Sequence, residues 1–143
     1  MSRIKISENF FLDEVMNPEM YERFGKNSRW FIDQRLIDIV QYIRTKTGKP
    51  ITINTWYSGG RFKERGLRNP NTSTGAKYSQ HKFGKALDFT VSGMSASQVR
   101  QLIISDWKQD LMKLGLTAIE GEVTWVHIDV RNTGKNDIMI FNP

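Results

Sequence analysis

The sequence predicts an α+β fold in a single domain covering residues 1–143, with an antiparallel β-sheet flanked by helices. A chain of 143 residues suits one hydrophobic core. Helical spacing of apolar residues dominates the first third of the chain, and alternating β-branched segments dominate the last third. Because one further helical stretch separates the early strands from the late ones, the pattern indicates helices packed on a sheet.

Two helical regions precede the first predicted strand. Residues 8–24 carry many apolar side chains, and Pro18 would interrupt a single helix over this stretch. Two short helical turns are therefore expected. Residues 28–47 repeat apolar side chains at helical spacing and predict one amphipathic helix over that stretch. Its aromatic residues, Trp30 and Phe31, are expected to lie in the core.

A further helix is predicted from Ser95 to Gly115. Ser95 and Gln98 have the spacing of a capping box, in which each side chain bonds the backbone N–H of the other residue. Apolar residues recur at helical spacing along the stretch, and a glycine is typical just after a helix C-terminus. The pattern predicts one uninterrupted helix packed on the core.

Five segments have the composition of strands. Residues 51–56 and 84–91 alternate between apolar and polar side chains. Residues 116–120, 124–131 and 137–141 follow with short connections between them, which favours antiparallel pairing of these closing strands.

A long loop joins the first two strands. Residues 62–80 are rich in Gly, Pro, Asn, Ser and Thr, and a loop of this length inside a small domain is usually functional or disordered. Lysines and arginines are concentrated between Arg61 and Lys85, which fits either a binding surface or a solvated loop.

Composition excludes several kinds of site. The chain has no cysteine, so disulfides, thiolate zinc sites and cysteine nucleophiles are excluded. Any metal must be bound by His, Asp or Glu, which favours a catalytic zinc over a structural one. The net charge of +6 favours polyanionic partners. The sequence has no run typical of a membrane span and no signal-peptide pattern, so a soluble protein made in the cytoplasm is expected.

The two histidines of the chain lie in two compact polar motifs. Asp88 follows His81 by seven residues, in a strand whose alternation turns this carboxylate away from the apolar face. His127 shares one face of its strand with a tryptophan, a carboxylate and an arginine. Core packing explains such a histidine poorly, so the two motifs together predict a shared metal site.

Metal-assisted hydrolysis is the chemistry that this residue set supports. His81, Asp88 and His127 would bind one zinc ion per chain and leave a fourth position for water, whose pKa the metal lowers to about 7. A nearby carboxylate would act as general base, and a cation would stabilise the oxyanion that develops. Arg61, beside the glycines of its turn, is the candidate cation.

A known family shares this arrangement. The chain resembles the zinc D-Ala-D-Ala carboxypeptidases and endopeptidases of peptidase family M15, which include bacteriophage endolysins and are related to the Hedgehog signalling domain. The resemblance rests on Ser79-x-His81-x-x-Gly84-x-Ala86-x-Asp88 followed by Trp125-x-His127. It extends from Tyr57 to about Arg131, and more weakly it includes the N-terminal segment Phe10-x-Leu12-x-Glu14.

The resemblance implies a small α+β fold, one zinc ion on the three predicted ligands, and cleavage of peptides in bacterial peptidoglycan. It implies that Arg61 contacts the substrate or its transition state and that Ser79 lies near the substrate. Trp125, from the second motif, is expected to contact the substrate as well.

One departure from the family leaves the general base open. Many members carry a glutamate three residues before the last histidine, where this chain has Thr124. Glu122 or Glu120, brought round by the glycine between them, is expected to serve instead, with Glu122 slightly preferred. Asp129 is a third candidate, although it also fits a role in orienting His127 or in pairing with an arginine.

Two other functions stay open at this point. A zinc-binding module without activity is the alternative if none of these carboxylates reaches the zinc-bound water. A metal-dependent nuclease fits the net charge of +6, but no histidine remains to act as its base. The expected partner is peptidoglycan peptide, without specific nucleic acid or membrane binding, and nothing requires more than a monomer. Small size and the lack of a separate wall-binding domain favour a phage lysis enzyme that reaches the host cell wall through a holin pore.

Overall fold

The computed structural model describes residues 2–143 and has an α+β fold, which confirms the predicted fold class. Within these residues, the helices and strands are α1 (Pro18–Phe24), α2 (Gln34–Thr47), β1 (Ile51–Thr52), β2 (Ala86–Val91), α3 (Ala96–Ile104), α4 (Lys108–Leu114), β3 (Ala118–Glu120), β4 (Val126–Asp129) and β5 (Met139–Phe141). Short 3₁₀ turns are formed by Leu12–Glu14, Gly25–Phe31, Trp56–Ser58 and Gln80–Phe83.

The strands form one sheet in the order β1-β2-β4-β3-β5. β2 pairs antiparallel with β1 and β4, and β4 pairs antiparallel with β3. β5 lies parallel to β3, so the antiparallel pairing predicted for the closing strands holds for β3 and β4 and is wrong for β5. Because β2 and β3 already occupy both edges of β4, β5 can join only at the free edge of β3, and the connection of residues 130–138 carries the chain across to it.

The α2 helix begins at Gln34, and the predicted start near Ser28 is wrong. The side chain of Asp33 accepts a hydrogen bond from the backbone N–H of Arg35 and caps the helix. The two short helical turns predicted earlier in the chain are confirmed, with Pro18 at the first position of α1.

The segment before α2 exposes aromatic residues that were expected in the core. Residues Gly25–Phe31 form a 3₁₀ turn, which has three residues per turn and does not continue the apolar stripe of an α-helix. Trp30 is 75% exposed and Phe31 is 38% exposed. The prediction that both are core residues is therefore wrong.

The helix predicted over residues 95–115 is two helices, α3 and α4, although the capping box at its start is present. At the break, the hydroxyl of Ser105 donates to the carbonyl of Gln101 at 2.7 Å. The backbone N–H of Trp107 donates to the carbonyl of Leu102, five residues back. Both carbonyls also accept regular bonds from backbone N–H groups four residues on, and the change to a five-residue span at Trp107 marks the end of α3.

The first strand is shorter than the predicted range of residues 51–56, because only Ile51–Thr52 pair with β2. Asn54 instead donates its backbone N–H to the carbonyl of Glu14 at 3.1 Å. Its side-chain amide donates to the carbonyl of Met16, also at 3.1 Å. Asn54 thus bonds with the N-terminal segment and not with β2, and β1 stays short.

The long loop is confirmed, since residues 59–79 contain neither helix nor strand. Where β1 ends, the carbonyl of Arg65 in this loop accepts the backbone N–H of Asp88 at 2.7 Å. Further along, the backbone N–H of Arg68 donates to the carbonyl of His81 at 3.1 Å. The loop is therefore tied to β2 and to the 3₁₀ turn Gln80–Phe83.

The core lies between the helices and one face of the sheet. α3 packs on β2 and β4, whose side chains Leu87, Phe89 and Ile128 are fully buried. By strand alternation, Asp88 and His127 project from the opposite face, beneath the long loop. In the part of the chain that the structure describes, no helix is both long and apolar enough to cross a lipid bilayer.

Candidate metal centre

The structure brings His81, Asp88 and His127 together. Asp88 of β2 lies directly opposite His127 of β4 in the sheet, and the 3₁₀ turn Gln80–Phe83 brings in His81. One potential ligand atom from each residue lies within 4.8 Å of the other two. All three residues are buried. Two imidazole nitrogens and one carboxylate at this separation can surround a single metal ion.

Hydrogen bonds fix which nitrogen of each ring is free to bind a metal. His81 Nδ1 lies 2.9 Å from the carbonyl oxygen of Gly66, which can only accept, so Nδ1 carries the proton. His81 Nε2 is buried without a hydrogen-bond partner and lies 3.1 Å from Asp88 Oδ2. A buried nitrogen lone pair left unsatisfied beside a carboxylate fits a metal ligand.

His127 is oriented from the other side. Its Nε2 lies 2.9 Å from Asp129 Oδ2, and its Nδ1 lies 2.7 Å from Asp88 Oδ1. The ring is thus held between two carboxylates, that of Asp129 two residues along β4 and that of Asp88 on the neighbouring strand. This geometry favours the role of Asp129 as the group that orients His127 and leaves Nδ1 for the metal.

Asp129 is itself held in place by Arg131. The carboxylate is fully buried, and the Arg131 guanidinium donates to it through Nε at 2.9 and 3.0 Å and through Nη2 at 2.5 Å. Burial alone would raise the pKa of Asp129, but the hydrogen bonds from His127 and Arg131 outweigh burial and lower it. Asp129 is therefore an anion that cannot easily turn toward the cavity.

The site is built to carry negative charge. Burial opposes ionisation of Asp88, yet the hydrogen bond with His127 and the proximity of His81 hold its pKa well below the usual range. Burial also opposes protonation of His127, but its bonds to Asp129 and Asp88 raise its pKa to about 9. The carboxylates thus favour positive charge between the ligand atoms, which a divalent cation would supply.

The three residues open onto a cavity of about 320 Å³. Three residues that were predicted from the sequence to act in catalysis or substrate binding line this cavity, namely Glu120, Ser79 and Trp125. Its full lining is Arg68, Gly75, Ala76, Tyr78, Ser79, Gln80, His81, Asp88, Glu120, Trp125, His127, Arg131 and Phe141. The long loop, β3, β4 and β5 thus all contribute to its wall.

Two other predicted residues lie elsewhere. Glu122 is exposed, has a positive φ of 58° in the bend after β3, and does not line the cavity. Arg61 is exposed as well, with its guanidinium carbon 5.0 Å from the centre of the Phe62 ring. The structure therefore does not bring either side chain to the metal ligands.

Arg68 lies at the site, although it was not predicted from the sequence to be a functional residue. It is only 9% exposed. Its Nη2 lies 3.3 Å from Asp88 Oδ2, its Nη1 lies 3.4 Å from Ser79 Oγ, and its Nε donates to the carbonyl of Glu64 at 2.7 Å. The concentration of basic residues between Arg61 and Lys85 indicated that a cation from this loop could reach the site. Which arginine becomes buried depends on the path of an irregular loop, which the sequence pattern does not predict.

Comparison with protein families found one match. A family model described as Peptidase M15 matches residues 13–129, well over half of the chain. The matched range contains the predicted metal ligands, Glu120 and Arg68. Comparison with curated proteins found no match, and comparison with solved structures found none either.

Proposed function

Because the chain belongs to the peptidase M15 family, we propose that it is a zinc-dependent peptidase that hydrolyses peptide bonds of bacterial peptidoglycan. The observation that carries this proposal is the buried set of His81, Asp88 and His127, with ligand atoms within 4.8 Å of one another and a cavity beside them.

Zinc is the metal that the donor set favours. Two imidazole nitrogens and one carboxylate form a common ligand set of catalytic zinc sites, which keep a position open for water. A zinc ion bound there would polarise the carbonyl of the substrate and lower the pKa of a water molecule to about 7. His81 and His127 each use their second ring nitrogen for a hydrogen bond within the protein, which fixes the rings for this role.

Glu120 is the carboxylate that we assign as general base. It is the last residue of β3, paired with Phe141 of β5, and it lines the cavity that the predicted metal ligands open onto, whereas Glu122 lies outside the lining. The Asp129 carboxylate already accepts hydrogen bonds from His127 and Arg131. In this proposal Glu120 takes a proton from the attacking water and returns it to the leaving amine.

Arg68 takes the role of the cation in this proposal. Its guanidinium lines the cavity, is held by Ser79 and by the carbonyl of Glu64, and stays close to Asp88. A positive charge fixed before the reaction stabilises the negative charge that develops on the carbonyl oxygen of the substrate. Trp125 and Ser79, on the same cavity wall, would contact the peptide.

The net charge of the chain supports a cell-wall substrate. A protein with a charge of +6 is attracted to a wall rich in carboxylates and phosphates. We therefore place its action at the cell wall, on peptidoglycan peptides, as a monomer without specific nucleic-acid or membrane partners.

The pair of variants Glu120→Gln and Glu122→Gln tests the assignment of the base. Glu120→Gln is expected to retain one zinc ion per chain, measured by metal analysis, and to lose activity on peptidoglycan by about a hundredfold or more. Glu122→Gln, a matched change two residues away, is expected to keep both. Full activity of Glu120→Gln would refute the assignment.

A further inference from the structure

A second, basic groove lies next to the metal cavity. Four cations line it, Arg35, Lys85, Arg131 and Lys135, and its volume is about 660 Å³. We infer that this basic groove binds a carboxylate of an acidic peptide substrate at a distance from the bond that is cut. The inference rests on the proposed function, because the same peptide would occupy the metal cavity.

The basic groove and the metal cavity are adjacent. Both are lined by Gln80 and by Arg131. Gln80 directly precedes the ligand His81, and Arg131 holds the Asp129 that orients the ligand His127. An extended peptide with its scissile bond at the metal ligands can therefore continue past these two side chains into the groove.

The charge of the groove is not balanced by the residues around it. No carboxylate is among its lining residues. Asp33 lies behind it and pairs with Arg35 at 2.8 Å and with Lys85 at 2.7 Å, while Asp129 pairs with Arg131 at 2.5 Å. Four cations against two carboxylates leave a net charge of +2.

The cations lie nearer to solvent than the carboxylates. The side chains of Arg35 and Lys85 are 48% and 40% exposed, whereas that of Asp33 is 14% exposed. Asp129 is fully buried beneath Arg131. A ligand entering the groove therefore meets positive charge first, and an acidic ligand is favoured over a neutral or basic one.

Lys135 supplies the cation that is free for a ligand. It is exposed, and its side chain forms no ion pair with any of residues 2–143. Nearby, Asn132 accepts the backbone N–H of Gly134 through its side-chain oxygen, which leaves the amide N–H₂ as a donor. A carboxylate, which only accepts hydrogen bonds when ionised, is matched by these donors.

The size of the groove favours a peptide segment over a long polymer. A volume of about 660 Å³ is within the range of pockets that enclose a small ligand or a short peptide segment. A linear phosphate polymer or nucleic acid would instead need a track of cations along the surface.

Equilibrium binding to the zinc-loaded protein tests the inference. The probes are two stem peptides of peptidoglycan with N-methylated, uncleavable bonds, which differ only in whether one carboxylate is free or amidated. We expect the free acid to bind roughly fivefold to tenfold more tightly. Lys135→Glu should abolish this preference and keep the fold, since the hydrogen bond from the Lys135 backbone N–H to Thr133 Oγ1 does not involve the lysine side chain. Lys113→Glu, the same change on an exposed position of α4, should preserve it.

Hydrolysis of natural stem peptides, measured alongside, separates the two proposals. Equal binding of the two probes, or an unchanged preference in Lys135→Glu, would overturn the inference even if zinc-dependent hydrolysis is observed. A preference that Lys135→Glu removes, without any hydrolysis, would support the groove and contradict the proposed function. Tighter binding of a phosphate polymer than of the acidic peptide would also overturn the inference.

Discussion

Gly84 is the position where a single methyl group is expected to be most damaging. It ends the 3₁₀ turn that carries His81, with φ of 67°, a conformation that residues with a side chain rarely adopt. A Cβ atom at Gly84 would lie 1.8 Å from the carbonyl oxygen of Phe31 and 2.9 Å from its carbonyl carbon. Both are backbone atoms, so no side-chain rotation can relieve the contact.

The expected cost of Gly84→Ala has two parts. The left-handed conformation costs a residue with a Cβ about 1–2 kcal/mol. The displaced backbone adds roughly 1–3 kcal/mol, the usual cost of inserting atoms into a packed region. The sum of about 2–5 kcal/mol is a large share of the free energy of unfolding of a domain of this size.

Gly48→Ala is the matched control for this substitution. Gly48 has φ of 64° at the end of α2, and no atom lies within 4 Å of its Cβ position. It therefore bears only the conformational cost, about 1–2 kcal/mol. Urea unfolding of both variants should show Gly84→Ala less stable than Gly48→Ala by roughly 1–3 kcal/mol. Equal midpoints for the two variants would refute the reasoning.

Two further predictions follow from the hydrogen bonds around the site and the start of α2. Asp129→Asn should weaken zinc binding by about 10- to 100-fold, because His127 loses the charge that orients it, and competition with a chelating dye measures this; unchanged affinity would contradict the orienting role. The hydrogen bond from Arg35, together with that from Lys85, holds the pKa of Asp33 well below its usual range, so its stabilising effect is present above about pH 4 and is lost as the pH falls below that. The stability advantage of the native protein over Asp33→Asn should therefore shrink below about pH 4 in acid unfolding, and a constant difference would show that the ion pairs contribute nothing.

The cluster of His81, Asp88 and His127 could be predicted from sequence because its residues lie in or close to regular strands. Strand alternation places Asp88 and His127 on one face, and antiparallel pairing then sets them opposite each other. His81 lies a short distance before β2, so it can fold back over the same face. The positions of these residues depend on the periodicity of the backbone, which can be predicted from the pattern of apolar and polar residues in the local sequence.

The remaining parts of the site depend on irregular backbone, which local sequence does not determine. Glu120 ends β3 and lines the cavity, whereas the bend that follows, with a positive φ at Glu122, keeps Glu122 out of the lining. Arg68 is buried and Arg61 exposed because the loop is tied to β2 and His81 through backbone hydrogen bonds. The parallel position of β5 likewise follows from which sheet edge is free, a property of the whole fold.

The most direct test of the account is mass spectrometry of fragments released from purified peptidoglycan by the zinc-loaded protein, with a chelated sample alongside. The account predicts new peptide termini that appear with zinc and disappear with the chelator, and the masses of the fragments would identify the bond that is cut. Bound zinc at one ion per chain without release of peptides from several wall types would contradict it.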